Sequence, residues 1–313
     1  MCFAFRRSLF YAALLRIPLL TPKNSKPVSF LTSYLIMMSS ANTSSVMDGF
    51  QQDEKTLLRP ETYGIPKNSA KNEQEADLVF FNTFFCPFAQ MVWIALMEKG
   101  VEEKTEFVEG LVIKGKGYEV HPRLQALGGS SVPTLYHPTT KSTVAGSTPC
   151  IHFLDQYFGT KQSSLFPKNM KDKLKAENCE ELLHSVFTLT FHAMLLHQDP
   201  EDQEKDKEKL LGAIEELLEE YKGPYFLGEQ FSVADISMAP YFDHMVALEH
   251  YRNFRVPKDG STARWHEWRD SVLNRPSVAA TRQDHERILE SYKRYAKCYV
   301  RNAMYKRVFN LQC

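Results

Sequence analysis

No acidic residue precedes Asp48 in this 313-residue chain, and none follows Glu290. No cysteine has a partner at redox or metal spacing. The six, at positions 2, 86, 150, 179, 298 and 313, form no Cys-x-x-Cys pair and no Cys/His cluster. That excludes a zinc-ribbon type of site and an internal dithiol, so no metal is expected. Thiols scattered in this way, in a chain long enough to need no staples, read as reduced and unpaired. Net charge is also missing, with 38 basic against 38 acidic side chains. A whole-surface affinity for nucleic acid or for an anionic membrane is thereby excluded. Long apolar runs are lacking as well: LFYAALL and VSFLTSYLIMM fall short of the roughly 20 residues a membrane helix needs. No stable membrane insertion is expected.

What is present differs between the ends and the middle. Residues 1–50 carry Arg6, Arg7, Arg16, Lys23 and Lys26 on a Ser/Thr-rich background. Acid-free, Arg-bearing and Ser-rich is the composition of an organelle presequence. The reading is a targeting or disordered extension, addressed to a plastid or mitochondrion, with a cytoplasmic chain as the alternative. Residues 51–76, with Pro60, Gly64 and Pro66, read as a linker or N-terminal arm. At the far end, residues 296–313 form a basic tail with Tyr299, Tyr305 and Phe309 spaced through it. Its expected place is against its own domain with the basic face solvated.

Between these ends two halves are legible. Residues 77–82 (DLVFFN) are β-branched and aromatic and suit a buried strand. Phe88, Met91, Val92, Ala95 and Leu96 then fall on one helical face, closed by Gly100. A weaker strand over 104–108, a Gly/Lys loop (KGKG), a short helix ending near Gly128, strands at 133–136 and 142–145 and a helix over 148–158 complete an α/β unit, residues 77–160. After Pro167 strand signals vanish. Residues 168–295 read as all-helical: a long helix over 170–197 with Leu174, Leu182, Leu183, Val186, Phe187, Leu189 and Leu195 as its stripe, then helices begun by Asp199-Pro200 and by Ser232, one over TARWHEWRDSVLNRP, and a final one from about 277. Ser232-Val-Ala-Asp235 is a capping box, with Phe231 and Ile236 placed as its hydrophobic staple. Its role is structural.

The chemistry gathers at Cys86. The first strand ends near Asn82 and the next helix starts at Pro87, so Cys86 occupies the helix N-cap. Unsatisfied amides and the helix dipole there favour a thiolate. Pro87 removes one donor, leaving the amides of Phe88, Ala89 and Cys86 itself. Two readings stay open: an inert buried thiol, or a lone nucleophile. Ala89 stands where a second cysteine would complete a redox pair, so Cys86 can form a mixed disulfide but needs an outside thiol to release it. Cys150 could do so only if the fold brings it near. Ser131-Val132-Pro133-Thr134 places a proline directly before a short strand.

Taken together, Cys86-Pro87-Phe88-Ala89-Gln90, Val132-Pro133 and FSVADISMAPY, in this order over residues 77–295, resemble the glutathione transferases. The CPFAQ motif is most similar to the cysteine classes, omega and plant lambda, near the dehydroascorbate reductases and chloride intracellular channel proteins. The resemblance implies an N-terminal thioredoxin-like domain that binds glutathione, followed by an all-helical C-terminal domain with an apolar second-substrate pocket. It implies glutathione as co-substrate, a catalytic Cys86, and glutathione contacts from Phe88, Lys116, Val132, a cis Pro133, Ser147 and Thr148. Of Lys114 and Lys116 in the KGKG loop, Lys116 is the preferred match. The partner would be a small electrophile, a disulfide or a glutathionylated protein; the family includes homodimers and monomers. Two departures stand out. Ser147 replaces the acid or glutamine that grips the γ-glutamyl end, and Met91 replaces a common Arg. The resulting expectation is a glutathione-dependent thiol transferase or reductase. The alternative is a non-catalytic binding protein or a channel-like relative with an altered glutathione site.

Overall fold

In a computed structural model of the protein, residues 69–114, 117–158, 164–299, 303–309 and 311 are described. The presequence-like segment, most of the arm and Lys116 lie outside them. Strand β1 (Leu78–Asn82) is buried along its whole length. It lies in the middle of a four-stranded sheet of order β2-β1-β5-β6, which is why its run is continuously apolar rather than alternating. Helix α1 (Pro87–Glu98) crosses back so that β2 (Thr105–Glu109) pairs parallel with β1, Leu78 opposite Thr105 and Asn82 opposite Glu109. Strands β5 (Thr134–His137) and β6 (Ser142–Ala145) add in antiparallel fashion, and α3 (Ser147–Tyr157) closes the unit. Gly100 has φ of +62°, the left-handed conformation that ends a helix such as α1.

One stretch departs from the sequence reading. The Gly/Lys loop is part of a hairpin, β3 (Leu111–Lys114) with β4 (Gly117–Val120), that precedes the short helix α2 (Pro122–Ala126). Each strand is four residues long and carries polar residues, too short for alternation to show.

The second half is helical: α4 (Met170–Leu182), α5 (Thr188–Leu196), α6 (Pro200–Glu220), α7 (Val233–Arg252), α8 (Ala263–Leu273), α9 (Pro276–Thr281), α10 (His285–Ala296) and α11 (Ala303–Val308). The helix expected over 170–197 is interrupted by one π-helical turn, Leu183–Phe187. Its extra residue shifts the apolar stripe, so Leu183 and Phe187 are buried while Leu174 is half exposed. The final helix expected from 277 is two, because the Asp284 side chain accepts from the Glu286 amide at 2.7 Å and starts α10 afresh. The capping box is present, with the Ser232 amide donating to Asp235 Oδ2 at 2.9 Å. Asp199 caps α6 before Pro200. Cys86, Cys150 and Cys179 are free thiols, whereas Cys298 is disulfide-bonded, contrary to the expectation of unpaired cysteines. Among the described residues no helix is long and apolar enough to cross a membrane.

Helix α1 joins the halves, packing on the sheet side against α3 and on the other against α7 and α9. At its C-terminal end Glu98 receives Arg275 in a two-pronged bond, Nε to Oε1 at 2.9 Å and Nη2 to Oε2 at 2.8 Å, and the Ser277 hydroxyl as well. Near its start the Gln90 amide donates to the Thr281 carbonyl at 3.3 Å.

Candidate active site

The turn from β1 into α1 sets the position of Cys86. The Cys86 amide donates to the Thr83 carbonyl at 3.1 Å, and the Cys86 carbonyl accepts from Ala89 at 3.0 Å and Gln90 at 3.1 Å. With φ −88° and ψ 112° Cys86 is the extended N-cap residue, and Pro87 is the first helical residue. The amides of Ala89 and Phe88 both stabilise the thiolate, as the sequence argument requires. They do not win. Burial pushes the Cys86 thiol up to about 11, and the nearby Glu109 carboxylate adds to the rise. This runs against the expectation of a lowered thiol: at the partly buried Cys86, desolvation opposes the two amides.

The other residues assigned from the sequence fall as follows. The Val132–Pro133 peptide bond is cis. The Pro133 carbonyl accepts from the Gly146 amide at 3.0 Å, which ties the proline loop to the start of α3. Gly110, at the end of β2, is a residue that sequence reasoning missed. A Cβ there would lie 2.2 Å from Val132 Cγ1 and 3.0 Å from the Asn82 carbonyl, so only glycine lets β2 approach this loop. Phe88 stacks on His184 of the π-helical turn at 5.7 Å between ring centroids. Ser147 is buried, and Thr148 is partly exposed. The Thr148 hydroxyl donates to Glu180 Oε1 at 3.3 Å, and the Ser237 hydroxyl donates to the same oxygen at 3.3 Å. Burial pushes Glu180 up to about 7. Lys116 lies outside the described residues. Cys150 is fully buried with its thiol on the Val144 carbonyl at 3.2 Å, a poor place from which to resolve a disulfide at Cys86.

Two further groups face the cysteine loop. Tyr241 of α7, which is buried and feels the charge of the Cys86 thiolate, accepts from the Thr188 hydroxyl at 2.9 Å. Glu109 ends β2, and its Oε1 is buried with no hydrogen-bond partner among the described residues. Nothing in the sequence marked either one; their proximity to Cys86 is set by strand register and helix packing.

Residues 85–156 match the family model "Glutathione S-transferase, N-terminal domain", and residues 201–271 match "Glutathione S-transferase, C-terminal domain". The chain belongs to the glutathione transferase family. Both halves of that family's architecture are therefore present, in the family's order. The chain is 28% identical over 218 residues to "Glutathione S-transferase L3" of Arabidopsis thaliana, covering 68% of this chain and 86% of that protein. It is 24% identical over 209 residues to "Probable glutathione S-transferase DHAR1, cytosolic" of Oryza sativa subsp. japonica, covering 66% and 88%. In three dimensions it is similar to glutathione transferase Omega 3C from Trametes versicolor, with a TM-score of 0.63, 24% identity, and coverage of 78% of this chain and 95% of that one. The last likeness speaks to the fold. Members of the family bind glutathione as co-substrate.

Proposed function

We propose that this chain is a glutathione-dependent thiol transferase or reductase of the cysteine type, acting through a mixed disulfide at Cys86. The observation that carries this reading is the position of Cys86. It is the N-cap residue of α1, where the amides of Ala89 and Phe88 act to lower its thiol, and it has Ala89 where a resolving cysteine would stand. A monothiol so placed attacks a disulfide, and glutathione must complete the cycle. The named likenesses to a lambda-type transferase and to a dehydroascorbate-reductase-type transferase support the same class. Disulfides, glutathionylated proteins and dehydroascorbate are the substrates proposed. Phe88, Val132 and Pro133 would line the glutathione, with the Val132 backbone meeting its cysteinyl part, Thr148 at its far end and Lys116 as the family resemblance implies. For the N-terminal segment a plastid or mitochondrial address is proposed on the acid-free composition of residues 1–47. The relative "Glutathione S-transferase L2, chloroplastic" of Arabidopsis thaliana, aligned over 88% of this chain, supports it.

The test is reduction of hydroxyethyl disulfide by glutathione. Cys86→Ser should lose the activity, and the wild-type protein exposed to oxidised glutathione should gain one glutathione, seen by intact mass at Cys86. Full activity in Cys86→Ser would end this reading. The raised Cys86 thiol favours the second reading, a binding protein of this fold without turnover. Glutathione retention with no adduct and no reductase activity would decide for it.

A further inference from the structure

Among the described residues of the helical half three histidines are buried, and two of them are engaged by the protein itself. His192 Nδ1 lies 2.8 Å from the Thr188 carbonyl, and His244 Nδ1 lies 2.9 Å from the Tyr292 hydroxyl. His184 differs. It is 8% exposed, its ring makes no hydrogen bond among the described residues, and burial alone pushes it down to about 4. A neutral imidazole carries one N–H donor and one acceptor nitrogen. Buried polar groups of this kind are normally met by a partner, because leaving them unmet is unfavourable.

The π-helical turn Leu183–Phe187 decides where this ring points. The Thr188 amide reaches past one extra residue to the Leu183 carbonyl. Such insertions disturb the regular helix and recur at functional sites. Here the turn directs two side chains toward the other elements of the site. His184 meets α1, stacking on Phe88 at 5.7 Å between ring centroids and 25° between planes. Thr188 meets α7, its hydroxyl donating to Tyr241 at 2.9 Å. Phe88 is the second residue after Cys86, and its amide is one of the two that act to lower the thiol. A single residue therefore faces the thiol with its backbone and His184 with its ring. The thiol comes from the sheet half and the imidazole from the helical half, so the pair flanks the seam between them.

We propose that His184 is a specificity-determining residue of the second-substrate site, hydrogen-bonding an uncharged hydroxyl or carbonyl oxygen of the molecule that Cys86 attacks. The ring can donate to a carbonyl, and can donate to a hydroxyl or accept from one. Held neutral at pH 7, it offers no charge to a carboxylate. The site therefore favours neutral polar disulfides over alkyl disulfides of the same shape.

This assignment rests on Cys86 as the exchanging thiol, but its test does not require glutathione. Reduced wild-type protein, His184→Phe and His184→Gln are reacted with hydroxyethyl disulfide and, separately, with dipropyl disulfide, which has a methyl group in place of each hydroxyl. Modification of Cys86 is followed by intact mass and located by peptide mapping. The ratio of the two rates cancels changes in the thiol itself. His184→Phe keeps a ring against Phe88 but removes both polar atoms. It should lower the ratio about tenfold, the upper range of one hydrogen bond, and change the dipropyl reaction by less than about threefold. His184→Gln, which keeps a donor and an acceptor, should recover part of the ratio. Equal slowing of both reactions in His184→Phe would mean a packing role and overturn the proposal. An unchanged ratio, or a wild-type Cys86 inert to both disulfides, would overturn it as well. If the ratio falls while glutathione fails to turn the protein over, His184 stands and the transferase reading falls. If glutathione turnover is seen and the ratio is unchanged, the transferase reading stands and His184 falls.

Discussion

Asp235 is where a change of one side chain should cost most for its size. The sequence presents it as half of a capping box, a role worth about 1 kcal/mol. The structure gives it more. Its Oδ2 accepts from the Ser232 amide at 2.9 Å and hydroxyl at 3.1 Å, while Oδ1 accepts from the Phe226 amide at 2.8 Å and the Trp268 indole at 2.7 Å. The residue is fully buried. Asp235→Ala therefore strands three buried N–H donors, each worth about 1–3 kcal/mol, or roughly 6 kcal/mol in mid-range. Against this stands the relief of removing a buried charge. Burial raises the carboxyl to about 6, and at about 1.4 kcal/mol per pH unit the relief at neutral pH is about 3 kcal/mol. The net loss should be about 3 kcal/mol or more, against about 1 kcal/mol for Ser232→Ala. Asp235→Asn keeps one acceptor and turns a donor on the Ser232 amide, so it should fall between. Urea unfolding measures all three. The pH dependence adds a second check. A carboxyl raised on folding binds its proton more tightly in the native state, so its contribution grows as pH falls through about 6. The gap between wild type and Asp235→Ala should widen by about 1 kcal/mol between pH 6 and pH 5. An Asp235→Ala protein no less stable than Ser232→Ala, or a gap that narrows on acidification, would refute the reasoning.

Other changes test other joints. Arg275→Ala leaves Glu98 without its two-pronged partner between the halves and should cost about 1–3 kcal/mol in urea. Arg275 and Ser277 hold the Glu98 carboxyl low despite its burial, so this cost should shrink as pH falls through the range where Glu98 protonates. His244 is buried against the Tyr292 hydroxyl and pushed down to about 4. Its unfolded form protonates first, so wild-type stability should fall as pH drops from about 6.5, and His244→Asn should lose less over the same interval. His197 bridges Asp206 and the Phe309 carbonyl, clamping the C-terminal segment; Asp206→Asn should speed proteolysis after residue 297 without moving Cys86 reactivity. The raised Cys86 thiol predicts slow alkylation by iodoacetamide at pH 7, rising through pH 9 and above. Rapid alkylation at pH 6 would show the amides, not burial, in control.

What the sequence made legible were features with short range or strong period. The buried run of β1, the face of α1, the Pro87 start and the Ser232–Asp235 box each depend on neighbours within a few residues, and all are present. The β3–β4 hairpin escaped because its strands are four residues long, below the length at which alternation is readable. The π-helical turn escaped because one extra residue in a helix changes the stripe, not the composition. At the candidate site Cys86 and Pro133 were legible from local motifs. Gly110, Glu109, Glu180 and Tyr241 were not, since they come from three other elements, the end of β2, α4 and α7. Gly110 had a usable signal, a glycine directly after a strand; the two glutamates had none. The energy of Cys86 was misjudged for the same reason. The amides that lower it are local, whereas the side chains that desolvate it come from across the fold.

That misjudgement bears on how the cysteine can work. At neutral pH a thiol near 11 is about one part in ten thousand thiolate. Higher basicity returns part of this as nucleophilicity, because the Brønsted slope of about 0.4–0.5 recovers a factor of about 60 over four pH units. The balance is a deficit near a hundredfold relative to a thiol that titrates at 7. Positioned acid–base groups supply about a hundred- to ten-thousandfold, so a proton acceptor that arrives at the sulfur with the substrate is enough to close the gap. The same arithmetic limits the resting enzyme. A protonated sulfur reacts slowly with alkylating agents and oxidants, and becomes a strong nucleophile only in the step that moves its proton. A low-pKa thiolate at this helix start would be reactive at all times. A partly buried, protonated thiol confines reactivity to encounters in which a disulfide and a proton acceptor are both in place.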